Sequence, residues 1–207
     1  MQDKELSTKE KIKLAIETYN KYAKIYSEHT ANKLLQFQLA KFVSLLPSKS
    51  KVLDAGCGCG RDAAYLKEDG LDVVAIDISP AIIEEAKLNN VIVVNGDLLK
   101  LNYKTEFDGI WCMATLADIS KKDAPKLVKN FYNSLKDSGI MYIAVKEGDG
   151  ENLVQKGLYE NSPRFYALYK KEELENLIED NGFNILSSTV TNDSGTIWLE
   201  VFARKTN

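Results

Sequence analysis

The sequence predicts an α/β fold: a doubly wound sheet of seven mostly parallel strands that finishes in an antiparallel hairpin, with helices ahead of it. Three observations carry that prediction. From Ser50 onward, short β-rich runs alternate with helical stretches, the rhythm of a parallel sheet covered on both faces. The first of these runs empties into a glycine-rich turn, Gly56-Cys57-Gly58-Cys59-Gly60, and then into a helix. The chain closes with FNILSSTVT and TIWLEVFAR, two alternating runs joined by the turn-forming NDSG, a connection too short for another crossover.

Taken in order, the apolar residues of 8–46 recur at helical spacing (Ile12, Ala15, Ile16, Tyr19, Ala23, Tyr26; then Leu34, Leu35, Leu39, Phe42, Val43, Leu46), and Pro47 stops them. Two amphipathic helices are therefore expected, and the chain divides into a helical segment at 1–48 and a sheet domain at 49–207. KVLDAG, LDVVAIDIS and VIVVNGD read as the first three strands, with helices over RDAAYLKEDG and PAIIEEAKLNN between them. FDGIWCM is the fourth strand, 121–135 a helix, and GIMYIAVKEG the fifth strand. A helix over 170–181 ends at Gly182, where a left-handed cap is favourable. Between 147 and 169 the sequence holds Gly148, Gly150, Gly157 and Pro163 and little periodicity. Such a long loop in a compact domain is usually functional or mobile, and this one leaves the carboxyl end of a strand, where open parallel sheets bind ligands. It is expected to be the most mobile long loop and to govern ligand choice through Tyr159, Arg164, Phe165 and Tyr166.

Composition removes several function classes. With 44% hydrophobic and 28% charged residues over 207 positions, the chain can bury a sizeable core without staples, so disorder and disulfide scaffolds are excluded. The balance of 27 Lys+Arg against 30 Asp+Glu gives −3, no field to draw in a nucleic-acid backbone. Three cysteines suit a reducing compartment, and neither a signal peptide nor a long apolar run is present. A cytoplasmic, membrane-free protein is expected, as monomer or homodimer.

The glycine turn sits where backbone must approach a ligand closely. Asp77 ends the next strand, where a carboxylate can accept hydrogen bonds from both ribose hydroxyls, and Asp97 ends the third, within reach of an adenine amine. The dinucleotide fingerprint needs glycine or alanine where Arg61 stands, and no Gly-Lys-Ser/Thr follows the glycines, so NAD and P-loop readings weaken. Asp54, two residues before Gly56, suits a cationic ligand such as the sulfonium and amino group of S-adenosylmethionine.

These residues resemble the class I S-adenosylmethionine-dependent methyltransferases, of small-molecule type, with a Rossmann-like sheet. VLDAGCGCGRD resembles their first motif, VVAIDIS the second, NGDLLKL the third and FDGIWCMATLADI the fourth, over roughly residues 50 to 205. The resemblance implies S-adenosyl-L-methionine as cofactor. Asp54 and the backbone of Gly56, Cys57 and Gly58 would face its methionine part, and Asp77 its ribose. Ile78 and Leu98 would meet the adenine faces, Asp97 the adenine amine, and Met113 and Ala114 would line the cofactor. Arg61 would reach the cofactor carboxylate. The segment TYNKYAKIY resembles an amino-terminal helix of the pattern Y-x-x-x-A-x-x-Y that covers the methyl group, which makes Tyr19 and Tyr26 catalytic candidates.

Each assignment has a plainer competitor. The glycines could form a structural turn only. Cys57 and Cys59 make too few ligands for zinc, so no metal is expected. His29, the single histidine, has the pKa range of a base, or it is a surface helix residue. Tyr19, Tyr22 and Tyr26 share a helical face that packing alone would explain. The place after the fourth strand reads Cys112-Met113-Ala114-Thr115-Leu116-Ala117, without the Asn/Asp-Pro-Pro-aromatic element of enzymes that methylate exocyclic base amines. A small-molecule acceptor is therefore the expectation; a nucleic-acid or protein methyltransferase, an NAD-dependent oxidoreductase and a non-catalytic nucleotide-binding protein are the alternatives.

Overall fold

A computed structural model describes residues 6–154 and 162–206. Helix α1 spans Thr8–Thr30, opened by a reciprocal cap in which Ser7 and Glu10 satisfy each other's backbone N–H groups. It is not straight: Tyr22, at φ −117° and ψ 21°, breaks the helical path mid-way. Helix α2, Gln36–Ser44, follows. Strand β1 (Lys51–Ala55), helix α3 (Arg61–Glu68), β2 (Asp72–Asp77), helix α4 (Pro80–Leu88) and β3 (Val93–Asn95) form the first half of the doubly wound unit. Pro80 begins α4 where its missing N–H is no loss, and Ser79 caps it.

The second half comprises β4 (Phe107–Met113), a 3₁₀ turn at Thr115–Asp118, helix α5 (Ala124–Ser134), β5 (Leu135–Lys146), helix α6 (Lys171–Glu179) and the closing strands β8 (Phe183–Asp193) and β9 (Thr196–Lys205). The main sheet has the order β3-β2-β1-β4-β5-β9-β8, seven strands, parallel except where β9 pairs antiparallel with β5 and β8. The order reverses between β1 and β4. A crevice at the carboxyl ends of those strands is where such sheets hold ligands.

Two apolar layers sandwich the sheet. On one side α5 and α6 deliver Leu127, Phe131, Leu174 and Ile178 onto β4, β5 and β9. On the other, Leu39 and Phe42 of α2 are fully buried with Trp111, Tyr142 and Phe202, and Trp111 stacks on Tyr142 at 4.0 Å. Helix α2 thus belongs to the core of the sheet domain.

The expected loop at 147–169 is partly structured. β6 (Glu151–Val154) and β7 (Arg164–Ala167) pair antiparallel as a second, two-stranded sheet, and Arg164, Phe165, Tyr166, Ala167 and Tyr169 are buried. These flanks are therefore packed, not a loose connection, because their apolar side chains fit against α1 and the turn after β4. Tyr159 and Gly157 lie outside the described residues. The fifth helix begins at Ala124, later than the sequence pattern suggests, and the sixth spans Lys171–Glu179 within the predicted 170–181.

Candidate functional site

The turn after β1 is held open by left-handed glycines: Gly56 at φ +75°, Gly58 at +55° and Gly60 at +76°. A Cβ on Gly56 would lie 2.2 Å from Thr115 Oγ1, and one on Gly60 2.9 Å from Val91 Cβ. The turn spends its own donors. The N–H groups of Gly56 and Cys57 both reach Ile76 O, at 2.9 and 3.0 Å, and that of Gly58 reaches Asp77 Oδ2 at 3.0 Å. The backbone of Gly56, Cys57 and Gly58 therefore offers close approach, not the N–H donors of an anion nest, to whatever lies above it.

Above this turn the cleft has two chambers, of about 90 and about 470 Å³. Tyr19, Tyr26, Gly56, Met113 and Ala114 line both, so the tyrosine pair of α1, rings edge to face at 5.2 Å, stands at their junction. The smaller chamber has Asp77, Ile78, Asp97 and Leu98 along its wall. The larger begins at Asp54, Cys57, Arg61 and Asp62, has His29 on one side, and extends to Lys146, Trp198 and Glu200.

Charge is handled differently at each point. Asp54 is 2% exposed, its Oδ2 has no hydrogen-bond partner, and burial followed by the charge of Asp62 pushes its pKa well above the usual carboxylate range. Burial also raises Asp77, although the N–H groups of Ser79 (2.9 Å) and Gly58 hold its carboxylate in place. Arg61 is turned to its neighbour: Nε and Nη2 reach Asp62 at 2.7 and 3.0 Å, and Nη1 reaches Thr30 O at 3.1 Å. Asp62 also takes the indole N–H of Trp111 at 3.0 Å. Behind the tyrosines, Arg164 pairs with Asp118 at 2.9 Å and donates to the Tyr19 hydroxyl. Burial, then Asp118, pushes the Tyr19 phenol well above its usual value of 10, so it stays protonated.

The chain matches the family described as methyltransferase domain over residues 22–188. It belongs to the S-adenosylmethionine-dependent methyltransferases. Among curated relatives it is 30% identical over 127 residues to a glycine/sarcosine/dimethylglycine N-methyltransferase of Actinopolyspora halophila, covering 56% of this chain and 22% of that protein. It is 27% identical over 167 residues to a carboxy-S-adenosyl-L-methionine synthase of Campylobacter curvus, covering 72% and 69%. The chain thus spans about a fifth of the first relative and about two thirds of the second. Its fold is that of a 1,6-didemethyltoxoflavin-N1-methyltransferase from Burkholderia thailandensis, solved with 1,6-didemethyltoxoflavin and S-adenosylhomocysteine. The TM-score is 0.82 at 23% identity, over 100% of this chain and 94% of that one.

The residues of this methyltransferase fit the cofactor of its family. A buried, unpartnered carboxylate oxygen at Asp54 needs a cationic or N–H partner, and the amino group of S-adenosylmethionine is one. Glycines that a Cβ would fill lie beside it. Asp77 retains lone pairs for a ribose, and Ile78 and Leu98 present apolar atoms to the smaller chamber.

The cofactor residues expected from the sequence (Asp54, Gly56, Cys57, Gly58, Arg61, Asp77, Ile78, Asp97, Leu98 and Met113) all line one chamber or the other. Besides Asp77, which holds the Gly58 and Ser79 N–H groups, Asp97 and Arg61 have other engagements. Asp97 caps the turn after β3 through Leu99 N at 3.0 Å and meets Lys100 at 3.1 Å. Arg61 already serves Asp62 and Thr30, which reduces what it has for a cofactor carboxylate. His29 is exposed, with Nε2 2.7 Å from Lys33 Nζ, at the chamber's outer wall and not at the junction. Cys59 is buried in the seam between Ala23 and Ile82, and among the described residues no three His, Cys, Asp or Glu gather as a metal site. No helix among them is long and apolar enough to cross a membrane. Asp62, in the first turn of α3, and Lys146, Trp198 and Glu200 were not found from the sequence. The signal of the last three was the two-residue alternation of β5 and β9, which becomes a shared face only once the strands are paired.

Proposed function

We propose that this methyltransferase moves a methyl group from S-adenosylmethionine to a small-molecule acceptor by in-line displacement, with the adenosine in the smaller chamber and the acceptor in the larger. The observation that carries the reading is Asp54: a buried carboxylate two residues before the glycine turn, with one oxygen unpartnered, on the wall of the larger chamber. Bound there, the cofactor supplies an electrophilic sulfonium methyl. The chain's own residues bind, orient and exclude water. Asp54 accepts from the amino group, Asp77 from the ribose, and Asp97 from the adenine amine, while Ile78 and Leu98 cover the adenine faces. Met113, Tyr19 and Tyr26 wall the junction, and the protonated Tyr19, its hydroxyl proton given to Asp118, acts there as wall and not as a base. Holding nucleophile and methyl in line can remove on the order of 7–11 kcal/mol of barrier.

The lid role belongs to α1 alone, since α2 is built into the sheet core. Helix α1 is tied down by Tyr19 on Asp118 and Arg164 and by Lys11 on Glu151 at 2.7 Å. Such closure shields the reacting groups from water. The excess of acidic residues and the size of the larger chamber, about 470 Å³, favour a small acceptor over nucleic acid. The test is titration calorimetry of the wild type and Asp54→Asn with S-adenosylhomocysteine and with NADH. Binding of the first alone, weakened by the substitution, supports the proposal; binding of NADH alone overturns it.

A further inference from the structure

We propose that the far end of the larger chamber recognises an acidic group on the acceptor: the chamber takes a small planar aromatic acid, its oxyanion against Lys146 and its ring on Trp198. This rests on the assignment of the larger chamber to the acceptor.

Lys146 is the last residue of β5, at the carboxyl end where the sheet presents its ligands. In the antiparallel ladder it pairs with Trp198, while Ala144 pairs with Glu200 one step deeper. All four line the chamber, with the small side chain of Ala144 as its floor. The Lys146 ammonium lies 5.4 Å from the ring centroid of Tyr166 and 5.5 Å from that of Trp198, and the side chain is half-buried. Among the described residues no carboxylate oxygen lies within 4.0 Å of it, whereas Arg61 and Arg164, on the same chamber, each face an aspartate. Glu200 and Asp193 line the same chamber and keep their charge, but neither is paired with Lys146: the Glu200 carboxylate is 5% exposed, with Oε1 accepting from Thr191 at 2.5 Å and Oε2 from Gln38 at 3.0 Å. Two ring faces strengthen the field of an ammonium by excluding water but leave its charge in place, and an oxyanion in contact supplies the direct ion pair that no described carboxylate makes. A half-buried indole in the same wall gives a flat partner for a ring.

The experiment uses full-length protein saturated with S-adenosylhomocysteine, titrated with benzoate, 4-hydroxybenzoate and 1-naphthoate, each against its uncharged amide. Binding is followed by calorimetry and by Trp198 fluorescence, with Trp198→Leu as the spectral control. The wild type is expected to prefer the acids by about tenfold or more. Lys146→Met removes the preference, Lys146→Arg restores it, and Trp198→Leu weakens acid and amide alike; S-adenosylhomocysteine affinity stays unchanged in the two Lys146 variants. Equal binding of acid and amide, binding of neither, or an unaltered preference in Lys146→Met overturns the subsite. Failure of S-adenosylhomocysteine to bind the wild type would instead overturn the cofactor assignment, so the two are separable.

Discussion

Tyr19 donates its hydroxyl proton to Asp118 Oδ2 at 3.1 Å while Arg164 donates to the same hydroxyl, so one partly buried triad joins α1, the turn after β4 and the hairpin strand β7. Asp118→Ala leaves Arg164 with its charge buried and its partner carboxylate gone, and should destabilise by about 3 kcal/mol. Tyr19→Phe removes only a hydroxyl and should cost about 1 kcal/mol. Amide exchange should rise in 8–30 and 164–167 of Asp118→Ala while β1 and β4 stay protected. Unchanged exchange in α1 would mean that the triad does not latch it.

Asp54→Asn should separate stability from binding. Burial raises the folded-state pKa of Asp54 above its unfolded value of about 3.9. The folded state therefore holds the proton more tightly, and its stability declines as pH rises from the unfolded pKa through the folded one. The asparagine variant lacks that decline, so the ligand-free protein should melt at the same temperature as wild type or higher at neutral pH. Its S-adenosylhomocysteine affinity should fall by about 1.5–3 kcal/mol. A variant that loses both stability and binding would show that Asp54 is structural.

Asp77→Ala touches more than a ribose contact. Its carboxylate takes the N–H groups of Gly58 and Ser79, so the substitution also releases the glycine turn and the start of α4. Affinity and stability should each drop by about 1.5–3 kcal/mol, with Asp77→Asn milder in both. Thermal melts beside calorimetry decide it, and loss of affinity with an unaltered melt would mean that these backbone bonds carry no weight.

Gly56→Ala and Gly150→Ala form a matched pair. Both sites have positive φ, +75° and +72°, but nothing lies within 4 Å of a Cβ at Gly150, while Thr115 blocks one at Gly56. Gly150→Ala should cost about 1–3 kcal/mol for backbone strain alone, and Gly56→Ala about 1–3 kcal/mol beyond that for overpacking. Equal melting temperatures would contradict the close packing of Thr115 on the turn.

The main sheet was legible because β1 to β4 and the apolar second part of β5 are short runs of strand-forming residues, and NDSG announced the closing hairpin; the start of β5 at Leu135, directly after α5, was not legible because Lys136, Asp137 and Ser138 are polar and exposed. The glycine turn and Asp77 were legible by spacing; Asp97, expected at the end of the third strand, lies two residues beyond β3 and caps the turn that follows. The β6–β7 pair was not, since its strands have four residues each and their partnership depends on packing against α1. Nor was the kink at Tyr22, where no proline or glycine marks the helix. Arg61 lines the chamber as expected, but its bonds to Asp62, its sequence neighbour, were not legible from the sequence. Lys146, Trp198 and Glu200 escaped notice because their nearness comes from the antiparallel register of β5 and β9.

The most direct test of the central claim is a crystal structure of the full chain with S-adenosylhomocysteine. Density is expected to run from the smaller chamber past the Tyr19–Tyr26 pair, with the ribose on Asp77 and the amino group on Asp54. A ligand bound elsewhere, or one leaving the Asp54 oxygen without a partner, would contradict it.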